Sequence, residues 1–115
     1  MVAEAHEGGC HCGAVRYRAT LDLVQPVIAC NCSICQAKGL LLTFVPGDTL
    51  QVLQGEGELV DYRFNTNRIA HRFCRTCGVE LFGQVEGQGS TINVRTLDGI
   101  DVSALKQQPF DGASR

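Results

Sequence analysis

Tryptophan is absent from this 115-residue chain, and only two Tyr, five Phe and three Pro are present. The aromatic part of any core is therefore thin, and a domain this small calls for a staple besides hydrophobic burial. No run of about 18 apolar residues occurs, which argues against a membrane-spanning helix. The N-terminal stretch Met1-Val2-Ala3-Glu4-Ala5-His6-Glu7 is acidic and lacks the basic and apolar regions of a signal peptide. The expected compartment is the reducing cytoplasm. An excess of positive charge is also missing: the formal net charge is −2 and the pI is near 5.8. That argues against nonspecific binding to nucleic acid, which depends on a large basic surface. Arg63, Arg68, Arg72 and Arg75 lie close together, and a solvated strand or turn surface is the favoured reading of them. The sequence holds no G-x-S-x-G, no phosphate-binding G-x-x-x-x-G-K and no His-Glu-x-x-His.

What the chain does have is seven cysteines, in three clusters: Cys10-x-Cys12, Cys30-x-Cys32-x-x-Cys35 and Cys74-x-x-Cys77. An odd count leaves a thiol over in any disulfide framework, and a reducing compartment favours metal ligation. Zinc divides seven as four plus three, a closed structural site and a second site with one coordination position free.

Glycine is frequent, with 13 residues, and the apolar runs are short and rich in β-formers. In Ala14 to Leu21, Val15, Tyr17 and Ala19 alternate with Arg16, Arg18 and Thr20, the period of a half-buried strand. Further strands are expected at Val27-Ile28-Ala29, Leu40 to Val45, Leu50 to Leu53, Glu58 to Phe64, Arg68 to Phe73, Leu81 to Val85 and Thr91 to Val94. Turns are expected at Pro46-Gly47-Asp48, Gly55-Glu56-Gly57, Asn65-Thr66-Asn67 and Gly87-Gln88-Gly89. Helix is expected only as single turns, at Ser33 to Lys38 and Val102 to Gln107. This spacing predicts a mainly β fold in one domain, residues 1–115, with no linker or internal repeat.

Two clusters share a local form, because Cys10-His11-Cys12-Gly13 and Cys74-Arg75-Thr76-Cys77-Gly78 both end in Cys-Gly. In a zinc knuckle the backbone curls round the metal, and the residue after the second cysteine commonly needs positive φ, which glycine supplies. Together the knuckles offer four thiolates from opposite halves of the chain, where a clip closes the longest loop. Spacing alone leaves the partnership open, since Cys10 and Cys12 are also compatible with the middle cluster. That middle cluster offers three soft ligands within six residues, so one metal could take all three. Three thiolates on Zn²⁺ leave the centre net negative, which weakens water activation but suits binding a further thiolate. The bland alternative is a site completed by His6, His11 or His71, or one that is structural in a homodimer. His71, three residues before Cys74, reads more simply as a packed core residue, and Glu80 as a surface carboxylate. Lys38 is a candidate to offset thiolate charge on proximity in sequence alone.

Gly8-Gly9-Cys10-His11-Cys12-Gly13-Ala14-Val15-Arg16-Tyr17, Cys30-Asn31-Cys32-Ser33-Ile34-Cys35, Phe73-Cys74-Arg75-Thr76-Cys77-Gly78 and Asn93-Val94-Arg95-Thr96-Leu97-Asp98-Gly99 together resemble the glutathione-dependent formaldehyde-activating enzyme family. That family includes centromere protein V, and Tyr62 to Gly78 is similar to the centromere-protein-V branch. The resemblance covers roughly residues 7 to 101. It implies a β-tent fold of small antiparallel sheets organised around a structural zinc. It also implies two zincs per chain, the first on Cys10, Cys12, Cys74 and Cys77. The second, on Cys30, Cys32 and Cys35, is catalytic and expected at partial occupancy. The implied reaction joins formaldehyde and glutathione to give S-hydroxymethylglutathione, a carbon–sulfur lyase chemistry. The chain is shorter than the formaldehyde-activating members, and residues that would grip glutathione find no match here.

Three functions follow in order of preference. The first is a zinc-dependent carbon–sulfur lyase acting on a small thiol. The second is a noncatalytic zinc-binding protein-interaction module of the centromere-protein-V type. The third is a redox or metal sensor using the middle cluster as a labile thiolate site.

Overall fold

A computed structural model describes residues 4–46, 49–64, 68–85 and 89–114, the side chain of Ser114 excepted. Ten strands and one short helix follow one another: β1 (Glu4–Gly9), β2 (Arg16–Leu21), β3 (Val27–Cys30), α1 (Ser33–Lys38), β4 (Leu42–Val45), β5 (Gln51–Gln54), β6 (Leu59–Tyr62), β7 (Ile69–Cys74), β8 (Glu80–Val85), β9 (Gly89–Asn93) and β10 (Gln107–Phe110). They form a three-stranded sheet in the order β1-β2-β5 and a seven-stranded sheet in the order β10-β3-β4-β9-β8-β7-β6. Pairing is antiparallel throughout, with the exception of β10, which runs parallel to β3 at one edge. The mainly β, antiparallel expectation therefore holds. Among the described residues no helix is long and apolar enough to cross a membrane.

The alternation that runs into β2 sets its register against the core. Val15, Tyr17 and Ala19 are fully buried, while Arg18 and Thr20 face out. On the larger sheet Leu81, Phe82, Ile92 and Val94 are equally buried. The sheets meet where Tyr17 of β2 packs edge to face on Phe82 of β8, with ring centroids 5.1 Å apart and planes at 89°. Edge-to-face contact puts the positive ring edge on a negative face, so these two rings do much to offset the shortage of aromatics. The Tyr17 hydroxyl is satisfied by Thr96 Oγ1 at 2.7 Å.

The helix over Ser33–Lys38 matches its expected span, and Gly39 ends it in the left-handed conformation at φ 66°. Val102 to Gln107 turns out differently. Only Val102–Ala104 makes a 3-10 turn, capped by Asp101, and the chain then extends into β10. Strand β1 was not expected, because Glu4-Ala5-His6-Glu7-Gly8-Gly9 shows no alternation; backbone pairing along all six residues of β1 with β2 holds it. The turns expected at Asn65-Thr66-Asn67, and most of those at Pro46-Gly47-Asp48 and Gly87-Gln88-Gly89, lie outside the described residues.

Candidate metal centre and thiol site

Two hairpin loops carry the knuckles. Cys10 directly follows β1, and its loop leads to β2; Cys74 ends β7, and its loop leads to β8. The same bonds shape both loops. Cys10 N donates to Val15 O at 3.2 Å and Cys74 N to Val79 O at 3.1 Å, five residues on in each case. Gly13 N and Gly78 N return to the carbonyls of Cys10 and Cys74. Gly13 and Gly78 have φ of 81° and 79°, the left-handed region that the Cys-Gly endings predict. Amides turn onto the sulfurs as well: Val15 N lies 3.3 Å from Cys10 Sγ, and Thr76 N lies 3.4 Å from Cys74 Sγ.

The fold brings the two loops together. The sulfurs of Cys10, Cys12, Cys74 and Cys77 all lie within 4.8 Å of one another. Cys10 Sγ and Cys12 Sγ are 3.6 Å apart, as are Cys12 Sγ and Cys74 Sγ. A tetrahedral ion with metal–sulfur bonds of about 2.3 Å has sulfur–sulfur edges of about 3.8 Å, so the spacing fits zinc. The pairing that spacing left open is thus the knuckle-to-knuckle one. All seven cysteines are free thiols.

The protonation pattern shows what such a cluster needs. For Cys77, burial opposes ionisation, but the amides of Val79 and Cys12 and bonds from Cys74 and Cys10 bring its thiol down to about 6. Cys12 behaves oppositely. The Ala14 amide favours its thiolate, yet lost solvation and its three thiol neighbours push it up to about 11. Four thiolates this close repel one another, so some stay protonated unless a cation joins them.

The middle cluster is built on different elements. Strand β3 delivers Cys30, Cys32 sits at the N-cap of α1, and Cys35 lies in the helix. Their sulfurs also fall within 4.8 Å of one another, and no His, Asp or Glu joins the group among the described residues. Cys35 is buried, while Cys30 and Cys32 are half-buried. Burial pushes the Cys35 thiol up, and its neighbours Cys32 and Cys30 add to the shift. At Cys32 burial opposes the thiolate, but the amide of Cys35, the thiols of Cys35 and Cys30 and the amide of Ile34 lower its pKa. Cys32 therefore ionises more readily than Cys35, and a divalent cation would be needed to hold all three as thiolates.

Both cysteine groupings expected from sequence are therefore assembled, and either could hold a metal. A family model described as glutathione-dependent formaldehyde-activating enzyme matches residues 5–109. The chain belongs to this family. A crystal structure of a Rhodobacter sphaeroides protein, solved as a structural genomics target, is similar to it at a TM-score of 0.82 and 32% identity. That match covers 90% of this chain and 97% of the other. Membership supports a function of the glutathione-dependent formaldehyde-activating type at the level of the family.

Around the family's cysteines, several polar residues have places that the sequence did not disclose. Glu80, expected at the surface, is buried with its side chain 2% exposed. It accepts from Lys38 Nζ at 3.0 Å and pairs with His71 Nδ1 at 3.2 Å. Lys38 also lies over the Phe73 ring, 4.8 Å from its centroid. Its ammonium is thus engaged with a carboxylate and an aromatic face. His71 is a packed core residue, stacked on Phe64, and belongs to neither cysteine group. The signal for Glu80 was its place at the head of Glu80-Leu81-Phe82, whose apolar neighbours mark a doubly covered strand. In the arginine stretch Arg63, Arg68 and Arg75 are exposed, Arg72 meets Asp61 and Glu56, and Arg75 meets Glu58.

Proposed function

We propose that this chain is a zinc-dependent carbon–sulfur lyase that adds a small thiol to, or releases it from, a small carbonyl compound. In the family's namesake case the thiol is glutathione and the carbonyl is formaldehyde. The sulfur–carbon bond forms, the carbonyl π bond opens, and the thiol proton ends on the former carbonyl oxygen. The observation that carries this reading is the three-sulfur group of Cys30, Cys32 and Cys35, which has no fourth protein donor among the described residues. Zinc bound there would supply the positive charge that keeps an incoming thiol in its thiolate form.

In this reading the residues divide by task. Cys35, fixed in α1 and buried, anchors the site, while Cys30 and Cys32 present their half-buried sulfurs beside it. The amide of Cys32 donates to Cys30 Sγ at 3.4 Å and steadies its negative charge. Cys10, Cys12, Cys74 and Cys77 would hold a structural zinc. Lys38 positions α1 through Glu80 instead of facing the thiolate. The whole chain acts as one domain, in a reducing compartment that keeps its thiols available.

The test is Cys32→Ser. The variant should keep its fold and the metal of the four-cysteine site, and lose formation of the thiol–formaldehyde adduct. Undiminished adduct formation by a folded Cys32→Ser protein would overturn the reading.

A further inference from the structure

The C-terminal segment runs directly onto the three-cysteine site. It enters beside β3 with Val27 N donating to Lys106 O at 2.8 Å, and β10 then pairs with β3 residue for residue until Phe110 lies opposite Cys30. Beyond that point Asn31, the residue between Cys30 and Cys32, clasps it three times. Its amide donates to Phe110 O at 3.1 Å, its Nδ2 to Asp111 Oδ1 at 3.1 Å, and its Oδ1 accepts from Ala113 N at 2.9 Å. Between those anchors lies Gly112. A Cβ there would come within 2.6 Å of Cys30 Sγ and 3.1 Å of Cys32 Cβ, so only glycine lets the backbone lie this close. The family match ends at residue 109, short of every one of the Asn31 contacts.

We propose that residues 107–113 form a strap that walls the three-cysteine site on its Cys30 side and limits how bulky a thiol or electrophile can reach that sulfur. Asn31 is the positioning residue that clasps the strap, and Gly112 is the gap that lets it close. The strap would select slender thiols for the reaction proposed above, and in that use it rests on the proposed function. The steric claim stands apart from it. Two of these three hydrogen bonds involve the Asn31 side chain, so a substitution there should loosen the tip of the strap without disturbing the core strands.

The experiment compares alkylation of Cys30 by iodoacetamide and by a bulky maleimide, on the protein as purified and at one metal content throughout. Cys30 is followed by mass spectrometry of its peptide. In the wild type the ratio of the bulky to the small reagent's rate should fall below the ratio measured on a free small thiol. Asn31→Asp removes the Nδ2 donor and sets two carboxylates together, and Gly112→Ala pushes the strap off Cys30. Each should speed the bulky reagent roughly tenfold, the effect of one ordinary hydrogen bond, with little change for the small one. Asp111→Ala should do the same, whereas Asp111→Asn keeps an acceptor for Asn31 and should stay near wild type. An unchanged ratio in Asn31→Asp and Gly112→Ala, or equal acceleration of both reagents, would overturn the proposal. A ratio that shifts in an inactive protein would leave the strap standing and remove the lyase reading.

Discussion

Stripping metal from the knuckle site should cost this protein a large part of its stability, and the amount can be worked from the structure. Cys12 and Cys74 are 62 residues apart in sequence, yet their sulfurs are 3.6 Å apart. Fixing the ends of a loop that long removes unfolded-chain entropy worth on the order of 4 kcal/mol. Small domains are stable by only about 5–15 kcal/mol in total. With a urea dependence of about 1–3 kcal/mol per molar, the unfolding midpoint should fall by about 1–4 M. The short loop from Cys30 to Cys35 closes for about half that entropy, and α1 already orders it. With no tryptophan to report, far-UV circular dichroism in urea is the suitable assay. Cys74 is fully buried, so Cys74→Ser mixes lost ligation with disturbed packing, and chelation of the unaltered chain is the cleaner arm. Equal midpoints before and after chelation would refute the reasoning, as would equal shifts in Cys74→Ser and Cys30→Ser.

Other outcomes can be checked alongside. Glu80→Ala leaves His71 buried without its partner and Lys38 half-buried, and should destabilise by about 3 kcal/mol in urea unfolding. Glu80→Gln, which keeps the shape and one acceptor, should lose about half as much. Burial pushes the Tyr17 hydroxyl up to about 12, against the opposing bond to Thr96. The neutral form is therefore favoured in the folded chain. Its contribution is complete below the ordinary tyrosine value of about 10 and is lost as pH rises towards 12, an effect on the order of 2–3 kcal/mol. In Tyr62→Phe, absorbance near 295 nm should show Tyr17 ionising together with unfolding, and an early, separate titration would refute this. Asp98 is held below the usual carboxylate range by its bond to Arg16, so its contribution fades as pH falls below about 4. The pair is exposed, and Asp98→Asn should lose less than about 1 kcal/mol in denaturant unfolding at neutral pH.

The parts of the fold that were legible in the sequence are those whose side chains decide them. Val15, Tyr17 and Ala19 alternate because one face of β2 is buried, and Ser33 to Lys38 reads as a helical turn because a capped turn follows the cluster. The knuckles were legible because Gly13 and Gly78 are required by their φ. Strands β1 and β10 were hidden for one physical reason. Their ladders are made by backbone groups, and Gln107-Gln108-Pro109-Phe110 is exposed along its whole length. No hydrophobic period can announce a strand that buries no face, as in β10, or whose inward positions are His6 and Gly8, as in β1. The pairing of Glu80 with Lys38 and of Asn31 with Asp111 was missed because the partners lie 42 and 80 residues away; only the burial of Glu80 had a local sign, in the apolar Leu81-Phe82 that follows it. The parallel pairing of β10 with β3 belongs to the same class, since direction is set by the route of the intervening chain.

The order of the cysteines along the chain also sets an order in time. During synthesis the middle cluster is complete once Cys35 has been made, whereas the knuckle site must wait for Cys77. For the interval between, Cys10 and Cys12 lack their partners while the triad is complete, so a metal taken up then would meet the triad first. The strap follows both clusters in sequence, so it reaches Cys30 only after the triad and the knuckles have been made. Of the two cysteine groups, the three-sulfur one is thus the first to be complete in sequence, and it is covered only by a later segment.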